Sequence, residues 1–203
     1  ENNSVTFVCA ACGTSKTPPP SAGSTSSANM RWCTEDELIK TALIIAPTTV
    51  VNNWRDEFQK FLSPQQCQQQ LKVVSLTSRM SQKERVTLLI KWSRNGGVLV
   101  AGYELIRNTI NNGNSKIKKI LCNPGPDFLI LDEGHRIRDR KSQLFAALNL
   151  IRTPTRVVLS GSPMQNHLSE YYTMVDFVRP GKLGTLKEFK TRFQEPIENG
   201  QAR

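Results

Sequence analysis

The sequence lacks any hydrophobic run of membrane-spanning length among its 203 residues, and we see no secretory leader. A helix that crosses a membrane needs about 20 consecutive apolar residues, so we expect no membrane partner for this chain. The chain also lacks Gly-x-x-x-x-Gly-Lys-Ser/Thr, the loop with which many nucleotide-binding proteins hold phosphate. Neither a membrane anchor nor a complete phosphate site can therefore be argued from a motif.

Cysteine is scarce, and its five copies form no regular pattern: Cys9, Cys12, Cys33, Cys67 and Cys122. An odd, scattered set argues against a disulfide framework. Cys9 and Cys12 have the spacing of half a zinc site, but no second pair stands at ligand spacing. Together with Val5 and Val8 they follow the i, i+3, i+4, i+7 pattern of one helical face. We therefore expect them to pack as small apolar residues.

Positive charge is what the chain has in excess: 27 Lys and Arg residues stand against 17 acidic residues, for a net charge of +10 and a pI near 9.6. Such a balance favours an acidic partner such as a nucleic-acid backbone. Charge by itself leaves ribosomal, membrane-surface and nucleotide-binding proteins all open. The length suffices for one α/β domain with a buried core.

Short runs rich in Val, Ile and Leu alternate with helical patterns along the chain. This alternation is typical of a parallel sheet with helices on both faces, because such strands are buried on both sides. Strands are predicted near 42–46, 72–77, 97–102, 127–131 and 156–160. Helices are predicted over about 49–62, 81–94, 104–121, 141–151, 166–178 and 185–193, with capping-box spacings from Ser81 to Glu84 and from Thr185 to Glu188.

The stretch 127–135 delivers two adjacent carboxylates and a histidine to the end of a buried strand. The carboxyl edge of a parallel sheet is where such folds bind ligands. There Asp132 can hold Mg²⁺ through its water shell near a triphosphate, and Glu133 can polarise the attacking water. Gly134 lets the chain turn away, and His135 can relay to a second surface. An ordinary acidic loop is the alternative, because Asp-Glu pairs are common.

Two further strand ends have the same layout. Residues 155–166 run from an apolar strand through small hydroxyl residues, a Gly and a Pro into a helix start. The strand predicted at 42–46 ends at Pro47, and a helix is predicted to begin directly after it. Thr48 and Thr49, at the start of that helix, can offer hydroxyl and backbone N–H groups to a phosphate. We expect these strand ends to lie at the same edge of the sheet as the acidic pair.

Three segments resemble motifs of the superfamily-two helicase-like ATPases of the Swi/Snf type. Residues 46–54, Ala-Pro-Thr-Thr-Val-Val-Asn-Asn-Trp, look like motif Ia, the run from Asp132 to His135 looks like motif II (Walker B), and residues 160–166, Ser-Gly-Ser-Pro-Met-Gln-Asn, look like motif III. The continuation beyond residue 168 is similar to the ATRX-like branch. The resemblance implies an α/β, RecA-like parallel sheet with helices on both faces, lobe one of a P-loop NTPase whose N-terminal phosphate loop is missing.

The resemblance also implies a domain organisation. Residues 1–12 look like the helix that follows the phosphate loop. We therefore expect this chain to begin a few residues after that loop and to be a fragment of a longer protein. Residues 13–40 are expected to form a flexible Ser/Pro-rich insertion and lead-in. Residues 41–182 then form the ATP-binding lobe with motifs Ia, Ib, II and III, and residues 183–203 start a family-specific extension.

The implied cofactors are ATP and Mg²⁺, and the implied partners are double-stranded DNA, nucleosomes or histones, and a second RecA-like lobe outside this chain. The implied location is the nucleus. The implied site residues fall into three groups: catalytic and cofactor-binding Asp132, Glu133, His135 and Gln165, with Asp132 holding the metal through water; DNA-contacting Thr48, Thr49, Asn53, Tyr103, Arg107 and Arg138; and Ser160, Gly161, Ser162, Gln165 and Asn166, which couple hydrolysis to DNA.

Several of these residues have a purely structural role as the alternative. Core packing is the alternative for Tyr103 and Trp54, because aromatic residues are usually buried. Asn166 can simply cap the following helix. The basic run from Arg136 to Lys141 is commonly a solvated charged loop. Asp139 also departs from the family pattern, which usually has asparagine there, and so alters the charge that would face DNA.

Three functions stay open on the sequence. The first is a DNA-dependent ATP hydrolase that translocates along duplex DNA and remodels nucleosomes; the present fragment would be nearly inactive alone, without the phosphate loop and the second lobe's arginine finger. The second is an RNA helicase, although the Asp-Glu-Ala-Asp and Pro-Thr-Arg-Glu runs of those proteins are missing. The third is a DNA- or histone-binding module that kept the fold and lost hydrolysis.

Overall fold

The structure is a computed structural model, and it describes residues 39–62, 71–113, 115–153, 155–162 and 167–200. The predicted helix over 1–12 lies outside these residues, as do residues 13–38 of the predicted insertion and lead-in over 13–40. So do Gln165 and Asn166, together with four of the five cysteines, so their assignments stay predictions.

Five parallel strands form the sheet, in the order β2-β3-β1-β4-β5. Their bounds are β1 Thr41–Ala46, β2 Val73–Leu76, β3 Gly97–Gly102, β4 Phe128–Leu131 and β5 Thr155–Val158. The five predicted strands and the parallel arrangement are thus confirmed, with ends that differ by at most two residues. The central strands carry the apolar runs because both of their faces are covered.

Helices cover both faces of the sheet. Their bounds are α1 Val51–Phe61, α2 Gln82–Asn95, α3 Tyr103–Asn112, α4 Ser115–Cys122, α5 Gln143–Asn149, α6 Leu168–Val178, α7 Leu186–Phe189 and α8 Glu195–Glu198. Short 3₁₀ turns occupy Thr48–Val50 and Gly134–Ile137, and a π turn occupies Lys190–Gln194. In the part of the chain that the structure describes, no helix has the length and apolarity needed to cross a bilayer.

Successive residues along a strand point alternately into two separate apolar clusters, one on each face of the sheet. Leu43 and Ile45 of β1 face the larger cluster, which includes residues of α2 to α6. Ile44 faces the smaller cluster with Val51 at the start of α1, and Trp54 packs against it. This alternation is the period of two expected for a strand. The predicted covering of both faces is therefore confirmed.

Both predicted capping boxes are present. The Ser81 hydroxyl accepts the N–H of Glu84 while the Glu84 carboxylate accepts the N–H of Ser81, and Thr185 and Glu188 repeat the arrangement. These backbone N–H donors lower the pKa of both carboxyl groups below the ordinary value. Such boxes satisfy helix-start donors that have no partner within the helix.

The prediction of a single helix over 104–121 is wrong, because the structure has two helices there, α3 and α4, with a break at Gly113. A Cβ atom at Gly113 would lie 2.3 Å from the carbonyl oxygen of Thr109 and 2.9 Å from Cγ2 of Ile117. Only a residue without a side chain allows the two helices to approach this closely. The apolar pattern continues on both sides of the break, so the pattern alone did not reveal it.

Candidate functional site

Asp132 follows the last residue of β4, and two elements hold its backbone. Its N–H donates to the carbonyl of Ile45 in β1 over 2.8 Å. Its own carbonyl accepts the hydroxyl of Tyr103, the first residue of α3, over 2.7 Å. The acidic end of β4 is thereby fixed at the carboxyl edge of the sheet, between the central strand and the helix that follows β3.

The Asp132 carboxylate accepts one hydrogen bond at each oxygen. The indole Nε1 of Trp54 donates to Oδ2 over 2.8 Å, and the N–H of Glu133 donates to Oδ1 over 2.9 Å. Each carboxylate oxygen can accept more than one donor, so both retain capacity for a ligand or its water shell. The carboxylate is also only half-buried.

This donor set fits Mg²⁺ in one particular way. Among the described residues, no three His, Cys, Asp or Glu side chains group closely enough to enclose a metal ion. Mg²⁺ in phosphate-transfer sites keeps several waters and takes one or two carboxylates together with the phosphates of its substrate. A single, well-oriented Asp132 is consistent with that mode and not with an all-protein cage.

Glu133 has a backbone conformation that side chains rarely adopt. Its φ and ψ angles are 54° and 53°, and it is the one non-glycine residue with positive φ in the described ranges. Holding a residue other than glycine in the left-handed region costs about 1–3 kcal/mol. The conformation turns the chain abruptly after β4 and starts the 3₁₀ turn Gly134–Ile137. Such strain is concentrated at functional sites in proteins.

His135 lies next to the Glu133 carboxylate. Its Nδ1 is 3.2 Å from Oε2 of Glu133, which is within ion-pair distance. Among the described residues Nδ1 has no hydrogen-bond partner, and this carboxylate is no exception. The two side chains are therefore neighbours, and the predicted relay role of His135 stays a prediction.

Gly134 joins this turn to β5. Its N–H donates to the carbonyl of Leu159 over 2.7 Å, and a Cβ atom on Gly134 would lie only 2.0 Å from Cγ1 of Val158. After Leu159 the chain continues through Ser160, which is half-buried, to Gly161 and Ser162, which are exposed. The predicted coupling segment therefore begins directly beside the acidic turn.

Thr48 and Thr49 lie exposed at the same edge of the sheet, in the 3₁₀ turn that precedes α1. No side chain caps the start of this turn or of α1. Uncapped N–H groups at a helix start attract anions such as phosphate. A Cβ atom on Gly102, the last residue of β3, would lie 3.0 Å from Oγ1 of Thr48, so the turn packs tightly onto the end of β3. Asn53 is exposed on α1.

The predicted DNA contact through Tyr103 is corrected by the structure. The Tyr103 side chain has no exposed surface, and burial, reinforced by the charge of Asp132, raises the pKa of its phenol. A side chain without exposed surface cannot touch DNA in this conformation, so the predicted DNA contact through Tyr103 does not fit. Arg107, one turn further along α3, is half-buried and donates to the side-chain oxygen of Asn108.

The basic run after the acidic turn is partly neutralised by the fold. Arg136 pairs with Glu104 over 2.7 Å and lies over the Tyr103 ring at 5.2 Å. Arg140 pairs with Asp176 over 3.0 Å. Arg138 is exposed and lines a cleft of about 620 Å³ whose other lining residues are Pro47, Glu133, His135, Arg136, Asp139 and Leu144.

The sequence did not indicate the contact between Trp54 and Asp132. Trp54 was expected to pack in the core, and its ring does so against Phe58 and the smaller apolar cluster. Its N–H points the other way, to a carboxylate 78 residues along the chain. An indole with one apolar face and one obligatory donor was the available signal, because a buried Trp N–H usually finds an acceptor.

Comparison with known proteins gives concordant matches. The human protein Transcriptional regulator ATRX is 39% identical over 168 residues, which are 79% of this chain and 7% of that protein. Protein CHROMATIN REMODELING 20 of Arabidopsis thaliana is 43% identical over 80% of this chain, and human Helicase ARIP4 is 35% identical over 80%. This chain spans only 11% and 14% of those two proteins.

Among solved structures, the Sulfolobus solfataricus SWI2/SNF2 ATPase core in complex with double-stranded DNA matches with a TM-score of 0.59 and 22% identity. The match covers 83% of this chain and 31% of that chain. At this identity the likeness concerns the fold, and it confirms the predicted RecA-like parallel sheet. The family described as SNF2-related domain matches residues 12–203. The chain belongs to the SNF2-related domain family, as the Swi/Snf-type motifs predicted.

Proposed function

We propose that the whole protein is an ATP hydrolase stimulated by double-stranded DNA, a translocase that remodels nucleosomes in the nucleus, and that this chain is part of its first ATP-binding lobe. One observation carries the proposal: Asp132 and Glu133 share one edge of the sheet with the exposed, uncapped turn at Thr48 and Thr49. The relatives named for chromatin and transcription, and the fold neighbour solved with double-stranded DNA, support the choice of substrate.

The two carboxylates would divide the work. Asp132 would hold Mg²⁺ through its water shell, because its oxygens are oriented by two donors and still have free capacity. Bound Mg²⁺ would neutralise charge that develops on the phosphate oxygens. Glu133 follows Asp132 at the strained turn and would orient and deprotonate the attacking water. His135 lies 3.2 Å from Glu133 and would relay between the nucleotide pocket and a second surface.

DNA would bind along the rim that contains Thr48, Thr49, Asn53 and Arg138. All four are exposed, and none of these contacts would read base sequence, since hydroxyl, N–H and guanidinium groups at such positions grip phosphates. Ser160, Gly161 and Ser162 would transmit the state of the acidic turn to this rim. The hydrogen bond between Gly134 and Leu159 supports this role, because Leu159 directly precedes the segment.

The test is ATP hydrolysis by the complete protein with and without duplex DNA, for the unaltered protein and for Glu133→Gln. We expect stimulation by duplex DNA, and in the variant we expect retained ATP binding with turnover lowered by about 10²–10⁴. Stimulation by RNA alone would favour the RNA-helicase alternative. Nucleic-acid binding without hydrolysis would favour a binding module that has lost its activity.

A further inference from the structure

We propose that Trp54 is a positioning residue for the Asp132 carboxylate, and that it links the start of α1 to the metal-binding end of β4. The inference rests on the proposed ATPase function. The observation is the hydrogen bond of 2.8 Å from the indole Nε1 of Trp54 to Oδ2 of Asp132. The indole nitrogen is a donor only, and a carboxylate oxygen is an acceptor, so the two groups are complementary.

Packing fixes the direction in which the indole N–H points. Trp54 lies on the inner face of α1 with Val51 and Phe58, three residues before and four residues after it. Its ring centroid is 6.2 Å from that of Phe58, and the ring packs against the cluster around Ile44. The side chain cannot rotate without losing these contacts, so its donor is held in place before any ligand binds.

The hydrogen bond in turn fixes the carboxylate. The N–H of Glu133 holds Oδ1 from the adjoining residue, while Trp54 holds Oδ2 from a different element. With both oxygens restrained, rotation of the carboxyl group is suppressed, and the free lone pairs keep a constant direction. A metal ligand oriented in this way by a neighbouring group binds more tightly than one that must be ordered on binding.

Trp54 is also close in sequence to the exposed turn. It stands on the first turn of α1, five residues after Thr49, so a phosphate that docks at that turn acts on the helix that carries the indole. The bonds of Asp132 with Ile45 and Tyr103 hold its main chain, whereas the Trp54 bond holds its carboxylate. We therefore expect part of the DNA stimulation to pass through Trp54.

The experiment uses the complete protein with Trp54→Phe, which keeps a ring and removes the donor. A second variant carries 3-benzothienylalanine at position 54, which keeps the bicyclic shape and has sulfur in place of N–H. Binding of a fluorescent, non-hydrolysable ATP analogue is measured in Mg²⁺ and in EDTA. We expect both variants to bind about tenfold more weakly in Mg²⁺ and unchanged in EDTA, since the lost bond involves a charged acceptor.

Trp92→Phe is the matched control. The indole Nε1 of Trp92 donates to the carbonyl of Gly97 over 2.9 Å and is buried, so the control removes the same type of bond far from Asp132. It should leave the Mg²⁺ dependence unchanged. A second readout is the Mg²⁺ concentration for half-maximal hydrolysis, which should rise about tenfold for the Trp54 variants alone.

The possible results separate this inference from the proposed function. Wild-type Mg²⁺ dependence in both Trp54 variants, in a protein that hydrolyses ATP on DNA, would overturn the positioning role and leave the function standing. Equal weakening by Trp92→Phe would also overturn it, because the effect would then be one of general stability. If the unaltered protein bound no nucleotide, the proposed function and the inference would fail together.

Discussion

The amide of Gly134 donates to the carbonyl of Leu159 over 2.7 Å, and this bond joins the acidic turn after β4 to the end of β5. The approach is so close that Cγ1 of Val158 occupies the space of a side chain at position 134. The acidic turn is therefore in direct backbone contact with Leu159, the residue that precedes the segment proposed to couple hydrolysis to DNA.

Gly134→Ala should destabilise the chain for this reason. The added Cβ atom would lie 2.0 Å from Val158, so the strand or the turn must shift. We expect a loss of about 2–3 kcal/mol in the free energy of unfolding, measured by urea denaturation. Gly161→Ala is the control, because no atom of the described residues lies within 4 Å of its added Cβ, and it should change stability by less than about 0.5 kcal/mol. Equal effects of the two changes would contradict the close contact.

Tyr103 should make the folded state sensitive to alkaline pH. Burial raises the pKa of its phenol, and the nearby Asp132 charge raises it further. The unfolded chain then loses the phenolic proton near pH 10 while the folded chain retains it. The stability contribution of this group is therefore complete below pH 10 and is lost as the pH rises above that value.

Tyr103→Phe removes this alkaline dependence. The variant also loses the hydroxyl bond to the Asp132 carbonyl, so it should be less stable than the unaltered chain by about 1 kcal/mol at pH 7. Between pH 10 and 11.5 its unfolding free energy should fall less steeply, as followed by urea denaturation. Tyr171→Phe, at an exposed tyrosine, is the control and should retain the original slope. Parallel slopes for all three proteins would rule out Tyr103 as the source.

The architecture could be predicted because its signals are local. Apolar runs of four to six residues marked the buried strands, and the capping boxes at Ser81 and Thr185 marked two helix starts. Parallel strands must end at a common edge, so the position of Asp132 near Thr48 followed from the order of elements. These inferences needed no knowledge of which side chains meet.

The contacts within the site could not be predicted in the same way. Two side chains donate hydrogen bonds to Asp132, those of Trp54 and Tyr103, which lie 78 and 29 residues away in sequence. The basic run was expected to be a solvated charged loop, yet the fold pairs Arg136 with Glu104 and Arg140 with Asp176. Nothing in a single sequence specifies such pairs, because they depend on how helices settle against the sheet.

Arg156 should be a major stabilising residue of β5. Its guanidinium donates to the carbonyls of Thr153, Ile151 and Phe177, and it lies over the Phe177 ring at 4.6 Å. Burial lowers its pKa, as expected for a cation held mainly by neutral acceptors. Arg156→Met keeps much of the apolar stem and leaves three carbonyls without that donor.

We expect Arg156→Met to lower the unfolding free energy by about 2–3 kcal/mol, because hydrogen bonds from a charged donor are among the stronger ones. Arg156→Lys should recover only part of the loss, since one ammonium group cannot reach three carbonyls in a fork. Urea denaturation of the three proteins measures the order. A methionine variant as stable as the unaltered chain would show that the carbonyls find water instead.

Asp127 allows the stability of the sheet to be separated from the chemistry of the site. Its Oδ2 accepts the N–H groups of Lys40 and Thr41 and the Thr41 hydroxyl, at the amino edge of the sheet, opposite to Asp132. Asp127→Ala should therefore lower the unfolding free energy by about 1–3 kcal/mol. In the complete protein the same change should leave the Mg²⁺-dependent affinity for nucleotide unaltered.

Asp56→Ala is the matched control for this last change. Asp56 is an acidic residue that pairs with Arg55 at 3.1 Å on the surface of α1, and an exposed pair of this kind contributes little stability. Urea denaturation should therefore distinguish the two alanine variants, with a clear loss only for Asp127→Ala. If Asp127→Ala weakened nucleotide binding while stability was retained, the two edges of the sheet would be coupled. That result would require the effect to be transmitted through β1. The N–H of Thr41, the first residue of β1, donates to Asp127, and the Ile45 carbonyl accepts the N–H of Asp132.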